Sequence, residues 1–192
     1  MNTMPYILTG GPGTGKSTVL TLLESAGCIC VPESARDIIR SRRCQGLHAR
    51  PSPKEFADEI LAEDIERYQA IPQTDRLVFI DRGIVDALCM LVAAEGIDIE
   101  GARRSLQQFP MNRRVFFFSP WRAIFREDEE RDQSYRDCIE VSERLAVWYR
   151  QMGFTLIDVP HLGPQGRAEF ILNSTQPAQQ GGQPDAFGAG YL

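Results

Sequence analysis

Eight residues near the N-terminus, Gly10-Gly11-Pro12-Gly13-Thr14-Gly15-Lys16-Ser17, constrain this chain more than anything else in it. They read G-x-x-x-x-G-K-[ST] and run on into Thr18. The flanks suit the pattern, with apolar Tyr6-Ile7-Leu8-Thr9 predicting a short strand before it and Val19-Leu20-Thr21-Leu22-Leu23 a helix after it. Glycines let consecutive backbone N–H groups turn inward, because no Cβ blocks the approach or the positive-φ turns. A helix beginning near Gly15 points about half a positive charge at the same spot. Such a loop is built for phosphate. The spacing implies binding of a nucleoside triphosphate by Gly11 through Thr18. Lys16, expected to be solvent-accessible before ligand arrives, would meet the outer phosphates, and the Ser17 hydroxyl would ligate Mg²⁺.

A chain of 192 residues, 43% hydrophobic and 24% charged, supports one globular domain with a sizeable core. The net charge of −5 gives no overall basic footprint for nucleic acid, and the only lysines are Lys16 and Lys54. The five cysteines form no C-x-x-C pair, and the two histidines, His48 and His161, are far apart. Free thiols in a reducing compartment are the expectation, rather than disulfides or zinc. No apolar run is long enough to span a membrane, and the N-terminus passes directly into a strand, so a cytoplasmic protein is expected.

Further strands are predicted at Cys28–Val31, Leu77–Ile80, Val115–Phe118 and Phe154–Val159, alternating with helices. A helix begins at Glu33, and residues 41–51 read as an irregular, mobile loop. Ser52-Pro53-Lys54-Glu55 is a capping box opening a long helix to about Ile71. Other helices are expected over 85–95, 98–108, 135–152 and 165–172, and Ser119-Pro120 looks like a helix start. From Asn173 onward Gln, Pro, Gly, Ser and Ala dominate, so residues 173–192 are expected to be a disordered tail to a domain of residues 1–172. The alternation predicts an α/β, three-layer fold with a five-stranded parallel sheet and right-handed crossovers.

Ligands in such sheets bind beyond the C-terminal strand ends. Asp81 follows four apolar residues there, placed to hold Mg²⁺ opposite Ser17; an acid capping the next helix is the plainer alternative. Glu33, at a helix start, is either an acid favoured by the dipole or the carboxylate that orients an acceptor hydroxyl. Arg82 would clamp the acceptor and neutralise developing charge, against an ordinary i,i+4 ion pair with Asp86. Arg36 lies one turn after Glu33 and points toward the same cleft. Arg122, Arg126 and Arg131 read as a cationic lid, or as a self-paired surface among Glu127, Asp128, Glu129 and Glu130. Trp121 and Trp148 are assigned to packing rather than to base stacking.

These residues carry a resemblance over about Tyr6 to Leu172. The chain resembles the small P-loop kinase/ATPase family, often labelled AAA-type ATPases, that includes the nicotinamide-riboside kinase domain of NadR-type proteins. The likeness rests on GGPGTGKST, Glu33-x-Ala35-Arg36, Asp81-Arg82-Gly83 with Asp86, Pro120-Trp121 before Asp128-x-x-Arg131, Tyr149 with Gly153, and Val159-Pro160. It implies the fold of nucleoside and nucleotide kinases, Arg131 as the first lid arginine, and an adenine bordered by the loop after Pro160. No segment identifies a nicotinamide-riboside pocket.

Two functions follow as expectations. One is a Mg·ATP-dependent kinase for a hydroxyl-bearing, nucleoside-like or other small metabolite, with Lys16, Glu33, Asp81, Arg82 and Arg131 in catalysis and Glu33, Arg36 and Arg82 at the acceptor. The other is a regulatory ATPase or conformational switch with no small acceptor. An N-K-x-D guanine signature and an L-S-G-G-Q signature are both missing from the sequence.

Overall fold

The computed structural model describes residues 3–49, 51–125 and 134–176. Five strands, β1 (Tyr6–Thr9), β2 (Ile29–Val31), β3 (Val78–Asp81), β4 (Arg114–Phe117) and β5 (Thr155–Asp158), form one parallel sheet in the order β2-β3-β1-β4-β5. β1 lies at the centre, with Leu8 level with Asp81 on one side and with Phe116 on the other. The strand that ends in the phosphate loop is therefore flanked by the strand that ends in Asp81.

Alternation along the strands divides the core between the two faces. Leu8, Phe79 and Phe116 point to the face covered by α1 (Lys16–Ser25) and α7 (Pro164–Thr175), packing with Val19, Leu23 and Ile171. Ile7 and Val115 point the other way, under α4 (Ile84–Ala93) and α6 (Tyr135–Gln151), against Val85, Leu88, Leu145 and Trp148. Outside α4 lies α3 (Pro53–Gln69), which brings α2 (Ser34–Cys44) with it, and α5 (Ile99–Leu106) adjoins α4. Both sheet faces are thus covered, which accounts for the near-continuous apolar strands. This is the expected α/β P-loop architecture with a five-stranded parallel sheet.

Several expectations shift. α2 continues through Ser41–Cys44, so the first part of the stretch read as a loop is helical, closed by Gly46 at φ 69°. An Arg42–Glu59 ion pair then ties α2 to α3. The Ser52 capping box at the head of α3 forms as expected. After Pro120 the chain makes one turn, closed by the N–H groups of Ile124 and Phe125 on the Trp121 carbonyl, and no helix forms over 121–125. α7 extends to Thr175, so Asn173–Thr175 belong to the domain; residues 177–192 of the expected tail lie outside the described residues. None of the five cysteines forms a disulfide. Among the described residues no helix is long and apolar enough to cross a membrane.

Candidate active site

The loop between β1 and α1 packs tightly before any ligand is considered. Gly11 lies so close to α6 that a Cβ there would fall 2.4 Å from the Cys138 carbonyl oxygen and 2.6 Å from Ser142 Oγ. Its N–H donates to Ser142 Oγ at 2.9 Å. Gly11 thus anchors the loop rather than facing the cavity, which is lined by Pro12 through Thr18. The Thr14 hydroxyl donates to the Gly11 carbonyl at 3.0 Å and is buried. Gly15, at φ 84°, supplies the left-handed turn that starts α1.

Lys16 departs from expectation. It is 5% exposed, and its ammonium donates to the carbonyls of Gly10 (3.1 Å) and Gly11 (2.9 Å). A long cation next to a tight turn folds back onto the nearest carbonyls, and the loop closes over it. Burial, with repulsion from Arg82 second, lowers its pKa to about 8. Its hydrogen-bond partners are two carbonyls and the Thr14 hydroxyl, and a triphosphate would supply anionic ones.

Asp81 sits at the end of β3, 2% exposed, and its Oδ2 accepts from the Ser17 hydroxyl at 3.2 Å. Its other oxygen, Oδ1, is buried with no hydrogen-bond partner. Burial pushes the Asp81 carboxyl up, and Lys16 opposes this. Among the described residues no group of three or more His, Cys, Asp or Glu side chains could hold a metal ion. The donor set is one hydroxyl and one carboxylate with a spare oxygen. That fits Mg²⁺, which keeps waters and takes phosphate oxygens, and not a metal needing an all-protein cage.

Beyond the loop, a charged cluster forms where β2, β3 and α4 meet. Arg82 occupies the left-handed region at φ 70°, unusual for a side chain of that size and a mark of local constraint. Its N–H bonds the Leu8 carbonyl, holding it at the strand end. Arg82 Nε lies 3.1 Å from Glu33 Oε1 without hydrogen-bond alignment, and a terminal nitrogen donates to Asp86 Oδ1 at 3.2 Å. The i,i+4 pair with Asp86 therefore exists, and the Glu33 contact exists beside it. Burial works against the Arg82 charge, but Glu33, Asp86 and Asp81 outweigh it and hold the pKa above the usual arginine value. Arg36 Nε approaches the other Glu33 oxygen at 3.5 Å. Glu33, Arg36 and Arg82 thus meet at one wall of the cavity, as expected.

Asp86 fixes that wall to the core. It is 5% exposed and accepts hydrogen bonds from the Thr9 and Tyr149 hydroxyls as well as from Arg82. Burial and the neighbouring Asp86 charge push the Tyr149 phenol well above its ordinary range, so it stays a donor. The sequence reading had no role for Tyr149 beyond the family likeness.

The cavity holds about 920 Å³ and is continuous from the loop to this cluster. Phe56 and Ile60 of α3, Ile39 of α2 and Met90 of α4 give it an apolar wall, with buried Asp64 among them. At the opposite end stand Trp121, Leu162 and Arg167. Trp121 stacks flat on His161 (4.8 Å between centroids, 1° between planes), so it is a cavity wall and not only packing. Trp148 is a packing residue, its indole N–H donating to the Val85 carbonyl. Arg167 went unread: it is 4% exposed, donates to the Thr14 carbonyl at 2.8 Å, and lies against Trp121 and Phe118. An arginine early in a C-terminal helix carries no signal in sequence that it braces a loop near the N-terminus. Of the residues expected to form a lid, Arg122 places its guanidinium over the Tyr135 ring and is not part of the cavity lining. Arg126 and Arg131 lie outside the described residues.

Known proteins bear on this geometry in three ways. No curated protein sequence matches the chain. Its fold is similar to those of deoxyadenosine kinase from M. mycoides (TM-score 0.59, 14% identity, covering 89% of this chain and 97% of that one) and thymidylate kinase from Candida albicans (0.60, 13%, 90% and 91%). It is also similar to shikimate kinase from Acinetobacter baumannii (0.53, 19%, 90% and 93%). Identities this low speak for a shared fold. Residues 5–167 match the family described as AAA domain, a span holding the loop, Asp81, Arg82, Asp86, Tyr149 and Arg167; the chain belongs to that family.

Proposed function

We propose that this protein is a Mg·ATP-dependent small-molecule kinase that transfers a phosphoryl group to a hydroxyl of a nucleoside-like or other small metabolite. The carrying observation is the continuity of the cavity: the phosphate loop opens directly into a chamber walled by Glu33, Arg36, Arg82, Phe56, Ile60 and Met90. A volume of about 920 Å³ is at the upper end for small-molecule sites, room for a nucleotide and a second compound. A nucleotide switch has no use for the second chamber. That three enzymes named as kinases of deoxyadenosine, thymidylate and shikimate share the fold supports the reading.

In this proposal Pro12 through Thr18 cradle the phosphates, and Ser17 with Asp81 would hold Mg²⁺, which would supply positive charge to offset that of the phosphates. Lys16 leaves the Gly10 and Gly11 carbonyls for the outer phosphates. Glu33, fixed between two guanidiniums, accepts a hydrogen bond from the acceptor hydroxyl and orients it for attack. Arg82, clamped by Asp86, presents its charge to the transferring phosphoryl group. Arg131 remains the proposed lid residue, by the family likeness. Trp121 and Leu162 border the nucleotide base.

Phosphate transfer from labelled ATP across nucleosides (nicotinamide riboside among them), sugars and amino alcohols, with products identified by mass, tests this. A true acceptor is phosphorylated and raises ATP turnover well above its basal rate. Glu33→Gln then lowers transfer by ~10²-fold or more and keeps ATP affinity within about tenfold. If ATP binds and no compound stimulates turnover, the regulatory-ATPase reading takes its place.

A further inference from the structure

Asp64 belongs to none of the roles above, yet it lines the cavity. It lies on α3 four residues after Ile60 and eight after Phe56, which puts all three on one row of the helix. The first two are apolar wall; the third is a carboxylate that is 7% exposed. A leucine would suit that row better. The Ser34 hydroxyl, at the start of α2, is its hydrogen-bond partner.

What separates Asp64 from the other acids lining the cavity, Glu33 and Asp86, is the missing ion pair. Glu33 has Arg82 and Arg36, and Asp86 has Arg82. Arg67, one turn along α3 from Asp64, is committed to the Pro32 carbonyl, Asp37 and Glu63. Among the described residues Asp64 forms no ion pair. Leaving a carboxyl buried beside apolar side chains without a cation is costly, and such a group persists where a ligand uses it.

We propose that Asp64 is a specificity residue of the acceptor chamber, one that accepts a hydrogen bond from a hydroxyl, N–H or ammonium group of an uncharged or cationic acceptor and turns anionic acceptors away. This rests on the kinase reading and narrows its substrate class. The charges on the wall made by α2, α3 and α4 give the same sign: Glu33, Asp86 and Asp64 stand against Arg36 and Arg82, both already engaged by Glu33 or Asp86, while the other cations lining the cavity, Lys16, Arg144 and Arg167, belong to α1, α6 and α7. A phosphate or carboxylate directed at that wall would find both of its guanidiniums already paired. A second hydroxyl or a base N–H would meet Asp64 next to the wall where Glu33 holds the reacting hydroxyl. Burial, with Asp86 and Glu33 adding to it and the Ser34 hydrogen bond and Arg67 opposing it, raises the Asp64 pKa to about 7.

The test compares wild type, Asp64→Asn and Asp64→Glu against two sets of probes. Nucleosides and amino alcohols form one set; nucleoside monophosphates and shikimate form the other. Wild type is expected to phosphorylate members of the first set and to favour them over the second at least tenfold in kcat/KM. Asp64→Asn should raise KM for the best acceptor tenfold or more while kcat falls no more than about threefold, and should narrow the discrimination against anions. Asp64→Glu should recover part of the KM. Melting temperature supplies a readout free of activity: the Asn variant melts at the same temperature or higher, because an unpaired buried carboxyl has been replaced. Unchanged KM and discrimination, a wild type that prefers the anionic set, or a clearly lower melting temperature each overturns the assignment while transfer itself stands. If no probe is phosphorylated and none binds by calorimetry, the kinase reading fails and takes this inference with it.

Discussion

Around the phosphate loop the cavity is made of backbone held in place by its own contacts; across from it, the cavity is made of side chains contributed by α2, α3 and α4. At the loop, Gly11 touches α6, Thr14 bonds Gly11, Lys16 bonds Gly10 and Gly11, and Arg167 bonds Thr14. Nearly all of these contacts end on main-chain atoms. In the acceptor chamber the contacts run between side chains: Glu33 to Arg82, Arg82 to Asp86, Asp86 to Thr9 and Tyr149, Asp64 to Ser34. A backbone site recognises what every nucleoside triphosphate has in common. A side-chain site can be retuned one residue at a time, so selectivity belongs there.

The largest expected effect strikes the backbone half. Lys16→Ala removes both the charge for the outer phosphates and the donor for two loop carbonyls. ATP affinity should fall by at least ~10²-fold, more than 2.7 kcal/mol by the usual conversion. Apo stability should fall as well, by about 1–3 kcal/mol, since buried carbonyls are left without a donor. Calorimetry and thermal melts read the two separately. If ATP still raises the melting temperature of the variant as it does for wild type, the loop does not use its lysine, and the contrast between the halves fails at its firmest point.

Arg82→Ala probes the other half. Its loss should lower phosphoryl transfer by ~10²-fold and leave ATP affinity within about tenfold, because the proposed function gives Arg82 to the acceptor wall and not to the cradle. Steady-state kinetics with the best acceptor, together with ATP titration, decide it. Comparable losses in ATP affinity and in transfer would show that the two halves act as one unit.

Legibility in the sequence follows the same divide. The loop could be read because its function requires glycines and a lysine at fixed spacing, and Asp81 could be read because it ends an apolar run. The sheet followed from strand–helix alternation, while the order that centres β1 depends on long-range pairing that no local pattern encodes. Glu33 and Arg82 could be picked out by their positions after strand ends, a topological rule, and Arg36 by its place one helical turn after Glu33. Asp64 was not found, although its place in the Phe56–Ile60 row was a usable signal: an acid where helical periodicity calls for an apolar residue. Arg167 and Tyr149 gave no such signal, since their partners lie 153 and 63 residues away. The exposure assigned to Lys16 failed for a physical reason, that the ammonium finds carbonyls within its own loop. Over the described residues after Pro120 the chain makes a turn at 121–125, and the rest of the expected helix lies outside the described residues.

The smallest effect is a pH dependence that belongs to the acceptor half alone. Asp64 titrates near 7 in the folded protein against 3.8 ordinarily; burial is the first cause, Asp86 and Glu33 add to it, and the Ser34 hydrogen bond and Arg67 oppose it. Arg82 lies behind Glu33 and Asp86 and stays charged throughout, so those two carboxylates keep their partner. Between pH 4 and 7 the folded chain therefore retains a proton on Asp64 that the unfolded chain has released. Stability then falls as pH rises through that window, and the loss is complete above about 7. At about 1.4 kcal/mol per pH unit, the Asp64 contribution is about 4 kcal/mol at most, and even 1 kcal/mol moves the melting temperature of a domain this size by a few degrees. Asp64→Asn removes this one titration and leaves every other group in place. Melting temperatures of the two proteins, measured from pH 4 to 8, should therefore diverge in favour of the variant up to about pH 7 and run parallel beyond it. A difference that stays constant from pH 4 upward would mean that Asp64 ionises as an ordinary surface carboxylate does, and the acceptor chamber would then be as well matched in charge as the loop.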